Sequence, residues 1–300
     1  MKHFFSNSPL GLSLIGLLLS GCTRSGPADF PDAENRDASL DASQSDTPFV
    51  RADTGPLPDA GTPLEETVIY AHSDSTLYTF SALTNAVVEV GPFTSSEGAR
   101  ASFMTDLAVD AAGLVFTSGG NRLWSVDPES ARVTPIGALP GEINALTFLA
   151  PGELGPAETL IGVGGVNVYQ IDPTTGSARM LGTYPDGYIS SGDVVSVEGA
   201  TYATVVRVDS EADADTLVQI SFDATGRSTF REIGDIRSEA MGFRNIWGIG
   251  YWGRSVYGFS AGGNLIEIDA RSGAARVVTT MTGARTFWGA GVTTRAPVLI

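Results

Sequence analysis

Residues 123–137 read LWSVDPESARVTPIG, with side chains alternating between apolar and polar on either side of a Pro-Glu-Ser turn. Alternation at period two marks a strand, because successive side chains leave opposite faces. The Asp and Pro of the connector are turn residues: Asp bonds the backbone just ahead of it and Pro presets φ. The stretch is therefore a hairpin. It returns as LYTFSALTNAVVEVG from Leu77, VYQIDPTTGSARMLG from Val168, LVQISFDATGRSTFREIG from Leu217 and LIEIDARSGAARVVTT from Leu265. The starts lie 45 to 49 residues apart. A period of that size belongs to propellers and repeat arrays rather than to one irregular core.

A further strand precedes each hairpin, as in the segments from Thr67, Gly113, Thr159, Thr201 and Ser255. One strand earlier still stand MTDLAVD from Met104, INALTF from Ile143, GDVVSV from Gly192, IWGIGY from Ile246 and FWGAGV from Phe287. Four strands make a unit, and there are five units. The first lacks a leading strand, while FWGAGV has no unit after it. The sequence therefore predicts an all-β, five-bladed β-propeller, closed by pairing of Phe287 to Val292 with the first blade. Closure of this kind removes the open sheet edge that invites aggregation.

The Leu-Tyr-x-Ile-Asp-x-x-Thr-Gly pattern with its leading strand resembles the repeat of the YVTN and NHL type bacterial β-propellers. The resemblance covers roughly residues 66–295, is best in blade two and weakest in blade four, where the turn is rewritten and a loop inserted. It implies the fold and little about activity, since such propellers include binding scaffolds, lyases and lactonases.

Ahead of the repeats, Lys2 and His3 precede an apolar run from Leu10 to Leu19 that fits an export signal and is short for a membrane span. The run ends Leu19-Ser20-Gly21-Cys22, which resembles the bacterial lipobox. That resemblance implies cleavage before Cys22, acylation of its thiol and anchorage in a membrane; Thr23 in place of Asp leans toward the outer membrane or cell surface. Cys22 is the single cysteine of the chain. Residues 23–64 are rich in Asp, Ala, Ser, Pro and Thr, too poor in large apolar groups to offset ordering entropy, and read as an acidic, disordered tether. The domain order expected is signal peptide 1–22, tether 23–64 and propeller 65–300.

Composition excludes several chemistries. The only lysine is Lys2, the only histidines are His3 and His72, and the net charge is −16. Schiff-base lysines, Cys/His zinc centres and thiol nucleophiles are absent from the repeat region. Nucleic acid is a poor partner for so anionic a chain. Aligning the five leading strands by eye places Asp106, Asn144, Asp193, Trp247 and Trp288 at one position, which by the family resemblance lies at the mouth of the central channel. Oxygen ligands there suit a hard cation such as Ca²⁺, with Asp106 and Asp193 as the candidate metal ligands, and indole faces suit sugars. The alternative is that the polar groups brace neighbouring strands and the indoles plug the channel.

His72, in His-Ser-Asp-Ser, reads as a solvated or turn-bonded loop residue, and Asp209, Glu211, Asp213 and Asp215 as a solvated acidic loop. Trp252 beside Arg254 is the tryptophan expected to be exposed. The function expected is that of a lipid-anchored, monomeric binding or interaction module with a protein or glycan partner and no resident cofactor. The alternatives are a propeller lyase, lactonase or glycosidase using Asp106 and Asp193 with a divalent cation, and a structural subunit of an envelope assembly.

Overall fold

The computed structural model describes residues 67–211, 213–223, 225–280 and 286–299. The expected signal peptide, Cys22 and the tether lie outside them. Every element in the described residues is a strand, and they form five antiparallel blades.

Blade one carries β1 (Val68–His72), β2 (Thr76–Ser81) and β3 (Ala86–Pro92). A short β4 (Thr94–Ser95) then runs parallel to the outer strand of blade two, tying the two blades at the rim. Blade two is β5 (Met104–Val109), β6 (Val115–Gly119), β7 (Arg122–Val126) and β8 (Arg132–Ala138). Blade three is β9 (Ala145–Leu149), β10 (Thr159–Gly164), β11 (Asn167–Ile171) and β12 (Ala178–Thr183). Blade four is β13 (Tyr188–Val197), β14 (Ala200–Arg207), β15 (Thr216–Phe222) and β16 (Ser228–Asp235). Blade five is β17 (Ile246–Trp252), β18 (Ser255–Ser260), β19 (Asn264–Asp269) and β20 (Ala275–Thr280), and the chain returns to blade one as β21 (Gly289–Gly291).

The expected closure is present. Strand β21 pairs antiparallel with β1 through Tyr70↔Gly291, Ala71↔Ala290 and His72↔Gly289, and the Trp288 amide donates to the His72 carbonyl at 2.8 Å. The inner ring is thus β21, β5, β9, β13 and β17, one strand from each blade. Around it lie alternating apolar residues of facing sheets, with Phe80, Phe259 and Phe287 fully buried between blades one and five.

The outer hairpins turn as their sequences require. In blades two to five the turn opens on Asp127, Asp172, Asp223 or Asp269, whose Oδ1 accepts the amide two residues on. These bonds hold the carboxyls of Asp127, Asp172 and Asp223 below the ordinary range, chiefly through hydroxyls of Ser130, Thr174 and Thr225.

The face of the wheel opposite the start of the inner strands is crossed by the chain's last described residues. Thr293 donates to the Asp110 carbonyl, Thr294 donates to Glu158, the Glu198 amide donates to the Thr294 carbonyl, and the Leu299 amide donates to the Gly253 carbonyl. Those partners belong to blades two, three, four and five. Ala296 at the middle of this strap is fully buried.

Candidate functional site: the axial hub and the channel mouth

Strand pairing fixes which inner residues are equivalent. Gly289 faces His72, Asp106 faces Ser118, Ala145 faces Val163, and Gly248 faces Phe259 across the first two strands of their blades. In blade four the Asp193 amide donates to Thr204 Oγ1, at the matching place. The innermost ring is therefore Gly289, Asp106, Ala145, Asp193 and Gly248. Asn144, Trp247 and Trp288 sit one residue earlier, so the five residues aligned by eye occupy two successive levels rather than one.

The physical reason is room on the axis. A Cβ added to Gly248 would lie 2.6 Å from the Ala290 amide nitrogen, and one added to Gly289 would lie 2.3 Å from Asp106 Oδ1 and 2.4 Å from His72 Nε2. Two carboxylates fill the centre, and the other three positions are Gly, Gly and Ala because nothing larger fits.

Asp106 and Asp193 are both fully buried. Asp106 Oδ2 accepts the Leu146 amide of the next blade at 2.5 Å. Asp193 Oδ1 accepts its neighbour Val194 at 2.6 Å, Oδ2 accepts Ile249 of blade five at 2.6 Å, and the Ala290 amide of β21 reaches it as well. The two carboxyl groups lie close enough for a hydrogen bond between them once one carries a proton. Asp106 Oδ1 receives no donor from any other group. A bond between two carboxyls needs a proton on one of them, and the free oxygen of Asp106 is where that proton fits. Burial pushes the Asp106 carboxyl well above the usual range, with the Asp193 charge adding to it. Burial also raises Asp193, against the opposing pull of Asp106 and of its amides.

His72 corrects its reading as a loop residue. It ends β1, is fully buried, and points at Gly289 beside Asp106. Its Nδ1–H donates to the Ser73 carbonyl at 2.6 Å, which leaves the Nε2 lone pair unmatched in the interior. Burial holds its pKa down to about 4, only partly opposed by the Ser73 carbonyl and Asp74. Tyr184, between blades three and four, is likewise buried with an unmatched hydroxyl, pushed up by burial and then by Asp193.

This arrangement does not fit Ca²⁺, which takes about 6 to 8 oxygens. Here three of the four carboxylate oxygens already accept amides, and no three His, Cys, Asp or Glu side chains gather to hold a metal among the described residues.

One level outward the mouth is aromatic. Trp247 and Trp288 are half-buried and meet edge to face, with ring centroids 5.9 Å apart. Gly192 of blade four lies against them; a Cβ there would be 2.3 Å from the Trp247 Cα. Asn144 braces blade three, its Oδ1 accepting the Gly165 amide at 3.2 Å and its amide nitrogen reaching Ser190 Oγ at 3.5 Å.

Phe103 was not singled out from the sequence, and it stands at the same end. It immediately precedes β5, is 68% exposed, and has a φ of 66°. Counting from the inner ring, the matching residue of blade five is Asn245, with a φ of 55°. Asn tolerates that left-handed backbone, whereas for a bulky aromatic it is an outlier. Exposed Ile189 of β13 and Met241, before β17, belong to the same end of the wheel.

The acidic run is solvated at Asp209, Glu211 and Asp213 but not at Asp215. Asp213 pairs with Arg237 at 3.0 Å, and Asp215 is buried, its Oδ2 accepting the Ile246 amide and the Ser191 hydroxyl. Trp252 is partly buried against the blade-one and blade-five core with its indole N–H enclosed, rather than exposed as expected from the sequence. A recess of about 640 Å³ lies on the rim beside blade three, between Glu158, Gln170, Arg179 and Thr225, away from the axis.

No family profile matches the chain, and no curated protein matches it. Among solved structures, one studied for the emergence of a symmetrical protein is 17% identical with a TM-score of 0.46, spanning 77% of this chain and all of its own. A protein of unknown function from Bacteroides caccae is 12% identical with a TM-score of 0.44, spanning 76% of this chain and 98% of its own. Another, from Bacteroides thetaiotaomicron, is 16% identical with a TM-score of 0.44, spanning 74% of this chain and 60% of its own.

Proposed function

We propose that the chain is a lipid-anchored, extracytoplasmic propeller that acts as a binding module, taking a protein or glycan partner at the channel mouth. The observation that carries this reading is Phe103. The residue keeps a backbone disfavoured by about 1–2 kcal/mol for an L side chain, while its ring lies mostly in water and contributes little to the core. Neither the folded backbone nor the core accounts for an aromatic there; a contact made on binding does. Trp247 and Trp288 extend the same aromatic end toward the axis. Lipid attachment rests on the Leu-Ser-Gly-Cys sequence alone.

Hydrolytic or lyase chemistry by Asp106 and Asp193 lacks the accessible carboxylate it would need, since both groups are sealed inside the ring. The binding reading is tested with a glycan array and with solubilised envelope proteins, comparing the native chain with Phe103→Asn and Trp288→Ala. A ligand retained by the native chain and lost from both variants supports it. Equal retention by all three, or no ligand retained by any, refutes it. Metabolic labelling with a radioactive fatty acid tests the anchor: incorporation is expected in the native chain and none in Cys22→Ser.

A further inference from the structure

We propose that the axis of the propeller is a single-proton binding site, in which Asp106 donates one shared proton to the Asp193 carboxylate and so locks the five inner strands together. The bonding pattern carries the assignment. Asp193 has amide donors on both oxygens, from its own strand, from blade five and from the closing strand, and so acts as an acceptor throughout. Asp106 has its amide on Oδ2 alone, and its Oδ1 is buried beside Gly289 with no amide donor of its own. The links run from blade three through Asp106 to Asp193, and on to blades five and one. The two aspartates themselves stand in blades two and four.

Charge balance leads to the same assignment. No arginine or lysine reaches the pair. Around it β9, β17 and β21 present Ala145, Gly248 and Gly289, with nothing titratable. From β1 comes His72, kept neutral by burial although the Ser73 carbonyl pulls the other way; Asp74 lies beyond it, and Tyr184 is uncharged. Two facing carboxylates with no cation cannot both ionise in a dry interior, so one proton stays. The proton, not a metal, occupies the hub.

The site makes the ring sensitive to pH. A native state that holds one proton more than the unfolded chain is destabilised as pH rises, and the unfolding constant grows about tenfold per pH unit for each such proton. The unfolded carboxyls release theirs near 3.8, while burial keeps the Asp106 proton in place to a pH well above that. His72, which acts in the opposite direction, fades out over about one pH unit above 6.5 as the unfolded imidazole loses its proton. The window free of interference therefore opens about one pH unit above 6.5.

The test is equilibrium denaturation of the full chain across that window, with Asp106→Asn and Asp193→Asn and with added Ca²⁺. In the native chain the unfolding constant should rise about tenfold per pH unit. Asp106→Asn keeps an N–H to donate to Asp193 and an oxygen for Leu146, so it should fold and lose the slope. Asp193→Asn must turn an NH₂ against an amide donor and should be strongly destabilised or fail to fold. Carbon-13 NMR of the aspartate carboxyls in the native chain at pH 7 should show one protonated group, absent from Asp106→Asn. A flat native profile, a slope that survives in Asp106→Asn, or a midpoint raised by Ca²⁺ in the native chain but not in the variant would overturn the assignment.

Discussion

Phe103 and Asn245 stand at the same place in blades two and five, three residues before the inner ring, and share a left-handed backbone with φ of 66° and 55°. One is suited to that conformation and the other is not. Replacing Phe103 by Asn should therefore stabilise the fold by about 1 kcal/mol, read as an increased denaturation midpoint with unchanged m-value. A residue holding the fold together would lose stability on the same change, so a lowered midpoint would count against a contact role.

Gly289 gives a second prediction. Its missing Cβ is the space occupied by Asp106 Oδ1 and His72 Nε2. Gly289→Ala should cost about 3 kcal/mol, the upper end for an overpacked core. Gly141→Ala, where an added Cβ meets nothing within 4 Å, should be neutral or slightly stabilising. Thermal melts of the two variants side by side check the contrast.

Much of the architecture was legible in the sequence, because each hairpin carries its own alternation and, in blades two to five, its own Asp-led turn. The closing strand was legible too, since FWGAGV had no hairpin to lead. The register of the axis was not. In blades two and five a bulge between Met104 and Asp106, and between Ile246 and Gly248, adds a residue to the inner strand that no side-chain pattern announces. Matching bulk to bulk then set Trp247 and Trp288 against Asp106, when the equivalents were the glycines after them. His72 was misread for a related reason. Its neighbours Ser73 and Asp74 are polar, but the loop begins only after it, and the imidazole turns inward.

His72 has its own pH signature. Its depressed folded pKa means that stability is intact above the unfolded value of 6.5 and is lost as pH falls toward about 4. The aspartate pair gains over part of that range, so the two partly cancel in the native chain. In Asp106→Asn the cancellation is removed. The unfolding constant of that variant should then rise about tenfold per pH unit on acidification from 6.5 to 4, a limb absent from the double variant with His72→Gln.

Glu158 should anchor the strap. Both of its oxygens lie 3.0 Å from the Ala111 amide, and Thr294 donates its hydroxyl to the same carboxylate. Glu158→Ala leaves the two donors unmatched and should cost about 1–3 kcal/mol. Hydrogen exchange should report the loss locally, with faster exchange at Glu198, Gly253 and Leu299, whose amides bond to or within the strap.

Because β1 pairs with β21, which is made after every other strand described, a ribosome releases four complete blades and three strands of blade one before β21 exists. A nascent or truncated polypeptide lacking Gly289–Gly291 presents β1 as a bare edge, ready to pair with any passing strand. Quality control of this molecule therefore reduces to one late event, and a stop codon a dozen residues early should yield an aggregating product rather than a smaller wheel.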